Sequence, residues 1–221
     1  MRTRRTFGAL LLLLVVSPLA TSAHQGTLEP RKGEEIGAVY EAFLSPHQEP
    51  GEEEDTPRTT PKQFRSTAPS QPRSERRARA HGVVRFTKDF SKAYVEVRVE
   101  NLDVKQVSGF HIHCGKPDLL GPILVDFAHT GDIQKNLSDG VFSAEITNEH
   151  IKNTAEGGHG VTGALLIGCP VVAGMSDKVK TIAGMEHIAR QGELYFNLHT
   201  YGQVYFGYMR GMLRPQGQPA R

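Results

Sequence analysis

Apolar and polar residues alternate along much of the chain after residue 80, which is the pattern of strands that bury one face. The clearest example is residues 92–101, where Val95, Val97 and Val99 fall on one face and charged residues on the other. Gly, Asp and Asn separate further segments of this kind. The pattern predicts strands at 37–44, 82–87, 92–101, 107–113, 122–128, 140–147, 161–168, 192–200 and 204–213.

Helical spacing is found in only two places, residues 148–155 and residues 177–189. Asp177 is the predicted N-cap of the second helix. About nine short strands at near-regular spacing predict an all-β fold, an antiparallel Greek-key sandwich or barrel with one or two short helices in its connections. An alternating α/β sheet is excluded, because it needs a helix between most of its strands.

The first 23 residues have the features of a secretory signal: a basic start, an apolar run and small residues up to Ala23. The run is too short to span a bilayer and no later stretch is long enough, so we expect no transmembrane segment in the mature chain. Arg4 and Arg5 also resemble a twin-arginine signal, which leaves both export routes open. Either route predicts a secreted or periplasmic protein.

The mature chain divides into segments of different composition. Residues 24–36 have the character of a flexible leader. Residues 49–80 are rich in Pro and charge, and because they contain almost no large apolar residues they cannot offset their ordering entropy. We therefore predict one domain over residues 37–214, interrupted by a disordered insertion at 49–80, and a flexible tail at 215–221.

Composition narrows the function classes. The 26 Lys and Arg nearly balance the 24 Asp and Glu, which argues against a nucleic-acid partner. Two cysteines are too few for a zinc site made of four thiolates. Ten histidines in 221 residues are the unusual feature of the composition.

Three of these histidines are predicted to converge. His111 and His113 are two residues apart in one strand, so both side chains lie opposite the apolar residues that alternate with them. His199 has the same outward position in strand 192–200. If the two strands are neighbours, the three imidazoles form a site suited to copper or zinc, with copper favoured. The alternative is a set of polar residues on a solvated strand face.

Other histidines are weaker candidates for a further ligand. Cleavage after Ala23 would leave His24 as the new amino terminus, whose amine and ring can clamp copper together. His129 follows a predicted strand, and His159 lies in a Gly-rich turn. The sequence does not decide among them, and we leave all three out of the predicted site.

Cys114 follows His113 directly, so strand alternation points its side chain away from the histidines and argues against a role as a metal ligand. In the oxidising compartment that the signal predicts, we expect it to form a disulfide with Cys169. Two buried free thiols are the alternative.

Six short motifs stand out between residues 40 and 213: YEAFLS at 40–45, QEP at 48–50, FHIHCG at 110–115, GPILV at 121–125, GELYFNLHT at 192–200 and MRGML at 209–213. In these motifs the sequence resembles the chordin-type, or CHRD, domain, over roughly residues 37–214. The resemblance implies an extracellular β-sandwich without a general enzymatic activity.

A weaker resemblance is to copper/zinc superoxide dismutase, whose copper strand has the form Gly-Phe-His-x-His found at 109–113. Residues 129–132 are similar to its His-x-Gly-Asp zinc element, but its histidine-rich loop is missing. The sandwich is therefore expected to be immunoglobulin-like or superoxide-dismutase-like. We interpret the protein as a metal-binding protein rather than an enzyme. The alternatives are an adhesion or ligand-binding module without metal and a dismutase-like copper enzyme.

Overall fold

Two antiparallel sheets form the frame of the protein. The computed structural model describes residues 28–156 and 179–217, and within them it contains nine strands. They are β1 (Ile36–Leu44), β2 (Arg79–Thr87), β3 (Ala93–Glu100), β4 (Val107–Cys114), β5 (Ile123–Asp126), β6 (Val141–Ile146), β7 (Leu194–Thr200), β8 (Met209–Met212) and β9 (Arg214–Pro215). The first sheet has the order β6-β3-β2-β1-β9 and the second β5-β4-β7-β8. The prediction of an all-β sandwich is confirmed.

The core lies between the inner faces of the two sheets, where the predicted alternation places apolar side chains. Along β3 buried and exposed residues alternate without exception. Phe110 on β4 is fully buried at the centre, and its ring centroid lies 5.1 Å from that of Phe142 and 5.7 Å from that of Phe196. Alternation thus fixes which face of β4 and β7 enters the core, and therefore which face carries the histidines.

Three helices occur in the described connections: α1 (Ile133–Asn136), α2 (Asn148–Glu156) and α3 (Ile182–Arg190). The helix predicted at 148–155 is confirmed. The second helix begins later than predicted, because Thr181 is its N-cap and accepts a hydrogen bond from the Gly184 N–H at 3.0 Å. The predicted cap, Asp177, lies outside the described residues.

Two predicted strands need comment. The strand expected at 161–168 lies outside the described residues. The strand expected at 204–213 is shorter than predicted and comprises only β8, because residues 204–208 form an irregular loop. The backbone of this loop contacts the insertion between β1 and β2.

Residues 49–78, in the insertion predicted as disordered, have a defined backbone path in the structure. They contain 3₁₀ turns at Glu53–Asp55, Lys62–Phe64 and Arg73–Glu75. The buried Arg76 side chain donates hydrogen bonds to the carbonyls of Gly207 and Tyr208. A count of apolar burial does not register contacts of this kind, in which polar side chains bind a distant stretch of backbone.

The ends of the chain are only partly described. The predicted signal at 1–23 lies outside the described residues, as do residues 218–221. The chain divides into the units Met1–Pro30 and Arg31–Arg221, and every strand belongs to the second. In the described part of the chain, no helix is both long and apolar enough to cross a membrane.

Candidate metal centre

Strands β4 and β7 are direct neighbours, as convergence of the three histidines requires. They pair antiparallel, with Gly109 opposite His199 and His111 opposite Asn197. Gly109 and His111 are two residues apart and so share one face of the strand. His199, which lies opposite Gly109, is therefore a diagonal neighbour of His111 on that face. The predicted convergence of His111, His113 and His199 is present in the structure.

The three imidazoles lie within reach of a single ion. Their ring centroids are 5.4 Å apart for His111 and His113, 4.9 Å for His111 and His199, and 6.0 Å for His113 and His199. One ring nitrogen from each lies within 4.8 Å of the other two. Two nitrogens bound to one ion at 2.0–2.1 Å are at most about 4.2 Å apart, and only when they face each other across the ion. A pair at the 4.8 Å limit would therefore have to close by at least about 0.6 Å to bind.

Glycine provides space for this cluster. A Cβ atom at Gly109 would lie 3.1 Å from Cε1 and 3.3 Å from Nε2 of His111, and 3.8 Å from Cβ of His199. The first two distances are shorter than ordinary van der Waals contacts. The hydrogen at this position therefore allows the His111 ring to lie over the strand and approach His199.

The histidine face points away from the core but is not exposed to solvent. His113 and His199 are each only 7% exposed, and every residue of β7 is buried. The alternative of a solvated strand face is therefore wrong. Strand patterning does not predict this burial, because His113 and His199 contact the carbonyls of Gly121 and Val204, which lie outside the strands.

Backbone carbonyls fix the tautomer of two of the histidines. Nδ1 of His113 lies 2.8 Å from the Gly121 carbonyl oxygen, and Nδ1 of His199 lies 3.0 Å from that of Val204. A carbonyl oxygen only accepts hydrogen bonds, so each Nδ1 carries the proton. In a neutral ring the lone pair is then on Nε2, the atom that binds a metal in this arrangement.

His111 has a carboxylate beside it instead. Asp126 lies opposite it on β5, and its Oδ1 is 3.6 Å from Nε2 of His111. The same oxygen accepts a hydrogen bond from the Ala128 N–H at 2.9 Å, which holds the carboxylate in place. A carboxylate beside a ligand imidazole orients the ring and makes it a stronger donor. Sequence reasoning missed Asp126, which becomes visible only when β5 is paired with β4.

A second group that the sequence did not reveal is a stack on His113. The Tyr195 ring lies parallel to this imidazole, with centroids 5.0 Å apart at 13°. The fully buried Arg210 guanidinium lies 3.4 Å from the Tyr195 ring centroid. The Tyr195 hydroxyl accepts a hydrogen bond from the Gly121 N–H at 2.9 Å. Burial raises the pKa of this phenol, although the positive charge of Arg210 opposes the shift.

Other candidates do not join the cluster in the described residues. His129 is exposed, and Asp132 caps α1 by accepting a hydrogen bond from the Lys135 N–H, so the similarity of 129–132 to a zinc element does not produce a second site. His24 and His159 lie outside the described residues.

Cys114 is buried in the apolar core, on the opposite face of β4 from the histidines, as alternation predicts. Its expected partner, Cys169, lies outside the described residues. The disulfide therefore stays a prediction.

The family model for the CHRD domain matches residues 64–213, which is more than half of the chain. The chain belongs to the CHRD-domain family. No curated protein and no solved structure gives a significant match. All three histidines and Asp126 lie within the CHRD match, whereas β1 and the first part of the insertion precede it.

Proposed function

We propose that this CHRD-domain protein binds a transition-metal ion through His111, His113 and His199. The observation that carries the proposal is the convergence of three imidazole nitrogens within 4.8 Å on one sheet face. Two of these rings have their Nδ1 protons directed at backbone carbonyls, which supports Nε2 as the ligand atom. Two strands, rather than mobile loops, hold the ligands.

The type of donor favours copper. Imidazole nitrogen binds copper, zinc, nickel and iron, whereas calcium and magnesium prefer oxygen ligands. For the same nitrogen donors, affinity among divalent first-row ions is highest for Cu²⁺. We therefore propose copper as the resident ion and zinc as the weaker competitor.

We further propose that the protein works outside the cytoplasm. The residue pattern at 1–23 supports export by the Sec or the twin-arginine route, to the periplasm or the exterior. An oxidising compartment would also permit the proposed Cys114–Cys169 disulfide.

The test is metal uptake by the purified mature chain, measured by elemental analysis after dialysis against copper or zinc. We expect about one copper ion per chain, and loss of uptake in the double variant His111→Ala, His113→Ala, because one imidazole cannot hold the ion alone. The control is His187→Ala, which removes an exposed histidine on α3. It should bind like the wild type.

Failure of the wild-type chain to take up either metal would contradict this proposal and favour an adhesion or ligand-binding module. Undiminished uptake by the double variant would move the site to other residues. Superoxide consumption by the copper-loaded chain, lost in His199→Ala, would extend the function to a dismutase-like enzyme.

A further inference from the structure

A single peptide group connects His199 to a carboxylate in the insertion. The carbonyl of Val204 accepts the His199 Nδ1–H hydrogen bond at 3.0 Å. The N–H of Tyr205, which belongs to the same peptide group, lies 3.2 Å from each carboxylate oxygen of Glu53. We propose that Glu53 is a positioning residue for His199 and acts through this peptide. The inference rests on the proposed metal site.

The two hydrogen bonds strengthen each other. A carboxylate at the N–H end of a peptide group draws the amide proton towards itself and increases the electron density on the carbonyl oxygen. The Val204 oxygen then becomes a better acceptor for the His199 Nδ1–H. A stronger acceptor at Nδ1 makes Nε2 more basic and fixes the ring orientation, as a carboxylate in direct contact with a ligand histidine does.

The carboxylate is well placed for this role. Glu53 is 8% exposed, so solvent screens its charge only weakly. Its side chain accepts hydrogen bonds from Ser66 Oγ at 2.7 Å and from the Phe206 N–H at 3.4 Å. Ser66 Oγ in turn accepts a hydrogen bond from the Val204 N–H at 3.3 Å. The insertion therefore holds the backbone on both sides of the Val204 carbonyl.

The described contacts of the other two histidines are of a different kind. The carbonyl that accepts from His113 belongs to the peptide between Gly121 and Pro122, and proline has no N–H through which a carboxylate could act. His111 faces Asp126 without an intervening peptide. Among the described contacts, His111 thus has a carboxylate beside it and His113 donates to a backbone carbonyl. His199 donates to a carbonyl whose peptide N–H in turn contacts the carboxylate of Glu53.

The first test needs no metal. In the metal-free mature chain, NMR of the His199 Nδ1–H proton reports the strength of its hydrogen bond to Val204. Replacing Glu53 by glutamine keeps the size but removes the charge, so we expect this resonance to move upfield and the proton to exchange faster with water. The matched control is Glu54→Gln, since Glu54 is exposed in the same turn and accepts a hydrogen bond from Ser70 instead. In that variant the resonance should stay in place.

The second test measures Cu²⁺ affinity by competition with a chromophoric chelator. We expect Glu53→Gln to bind about threefold to tenfold more weakly than wild type, which is below the 10–100-fold loss typical of direct partners of a ligand. Glu54→Gln should stay within about twofold of wild type. Unfolding midpoints of both variants separate this effect from loss of the fold.

The outcomes distinguish the two proposals. If the wild type takes up no copper, the metal site fails, while the NMR comparison still decides whether Glu53 acts on His199. An unchanged Nδ1–H resonance in folded Glu53→Gln overturns the inference even if copper binds.

If Glu53→Gln does not fold, Glu53→Asp replaces it, because it keeps the charge but withdraws the carboxylate by one methylene. It should move the resonance upfield, and an unchanged resonance there also overturns the inference.

Discussion

At the scale of the residue, Arg210 shows how one buried cation arranges its surroundings. Its guanidinium donates hydrogen bonds at 2.8 Å to the carbonyls of Leu119 and Lys116, while its face lies on the Tyr195 ring. These contacts fix the loop that carries Gly121, the acceptor for His113. A buried cation needs such partners, because leaving it unpaired away from water is costly.

Glu49 is a buried acid near the same arginine. Burial raises the pKa of its carboxyl from 4.5 to about 8. Three arginines attract the charged form and oppose this shift without cancelling it: Arg210, Arg76 and Arg73. Between pH 4.5 and about pH 8 the Glu49 carboxyl has lost its proton in the unfolded chain but keeps it in the folded protein. The free energy of unfolding therefore falls as pH rises, on the order of 1.4 kcal/mol per pH unit.

This stabilisation is complete below about pH 4.5 and is lost as the pH passes through about 8. Glu49→Gln has no proton to lose, so relative to wild type it should gain stability between about pH 5 and about pH 8. Urea unfolding of chelator-treated protein at both pH values measures the gain. The same pH dependence in the two proteins would contradict the assignment.

Gly109 offers a prediction specific to the site. Ala at this position would bring a methyl group to 3.1 Å from the His111 ring and displace it from the cluster. We expect Gly109→Ala to weaken Cu²⁺ binding about tenfold, within the range seen when the support of a ligand is altered. Chelator competition gives the affinity and urea unfolding the stability. Wild-type affinity in the folded variant would show that the ring does not need this space.

At the scale of the element, a long-range hydrogen bond joins helix α3 to β1. The Tyr40 hydroxyl donates a hydrogen bond to Glu186 Oε1 at 2.8 Å, and Glu186 also pairs with Arg190. Burial and the neighbouring carboxylate raise the pKa of Tyr40 to about 12, so the phenol keeps its proton at neutral pH and remains a hydrogen-bond donor. The contact links segments 146 residues apart in the chain.

Removing this hydroxyl should loosen the helix. We expect Tyr40→Phe to lower the free energy of unfolding by about 1.5–3 kcal/mol, because it breaks a buried hydrogen bond to a charged group. The control is Tyr94→Phe, at a partly exposed position on β3, which should change stability by less than about 0.5 kcal/mol. Equal stabilities of the two variants, measured by urea unfolding, would show that the contact is not stabilising.

At the scale of the whole molecule, the two sheets were predictable from the sequence, whereas the contacts of the insertion between β1 and β2 were not. Alternation is a local signal, so it placed most of the described strands and the face that carries His111, His113 and His199. The contact between Glu53 and Tyr205 joins residues 152 positions apart. It consists of a side chain binding backbone N–H groups, which any residue type supplies. Periodicity and composition carry no trace of such a contact, and the insertion was therefore predicted as disordered.

The contact between Glu53 and the Tyr205 N–H has a consequence for how chains with this fold are compared. Glu53 reaches His199 only through the backbone of another loop, and it precedes the matched CHRD region. Under the two proposals made above, substitutions in this segment would change the metal affinity while the three histidines stay in place. Two homologues with identical β4 and β7 strands would then bind the same ion with different affinities. A comparison of their ligand residues alone would show no difference between them.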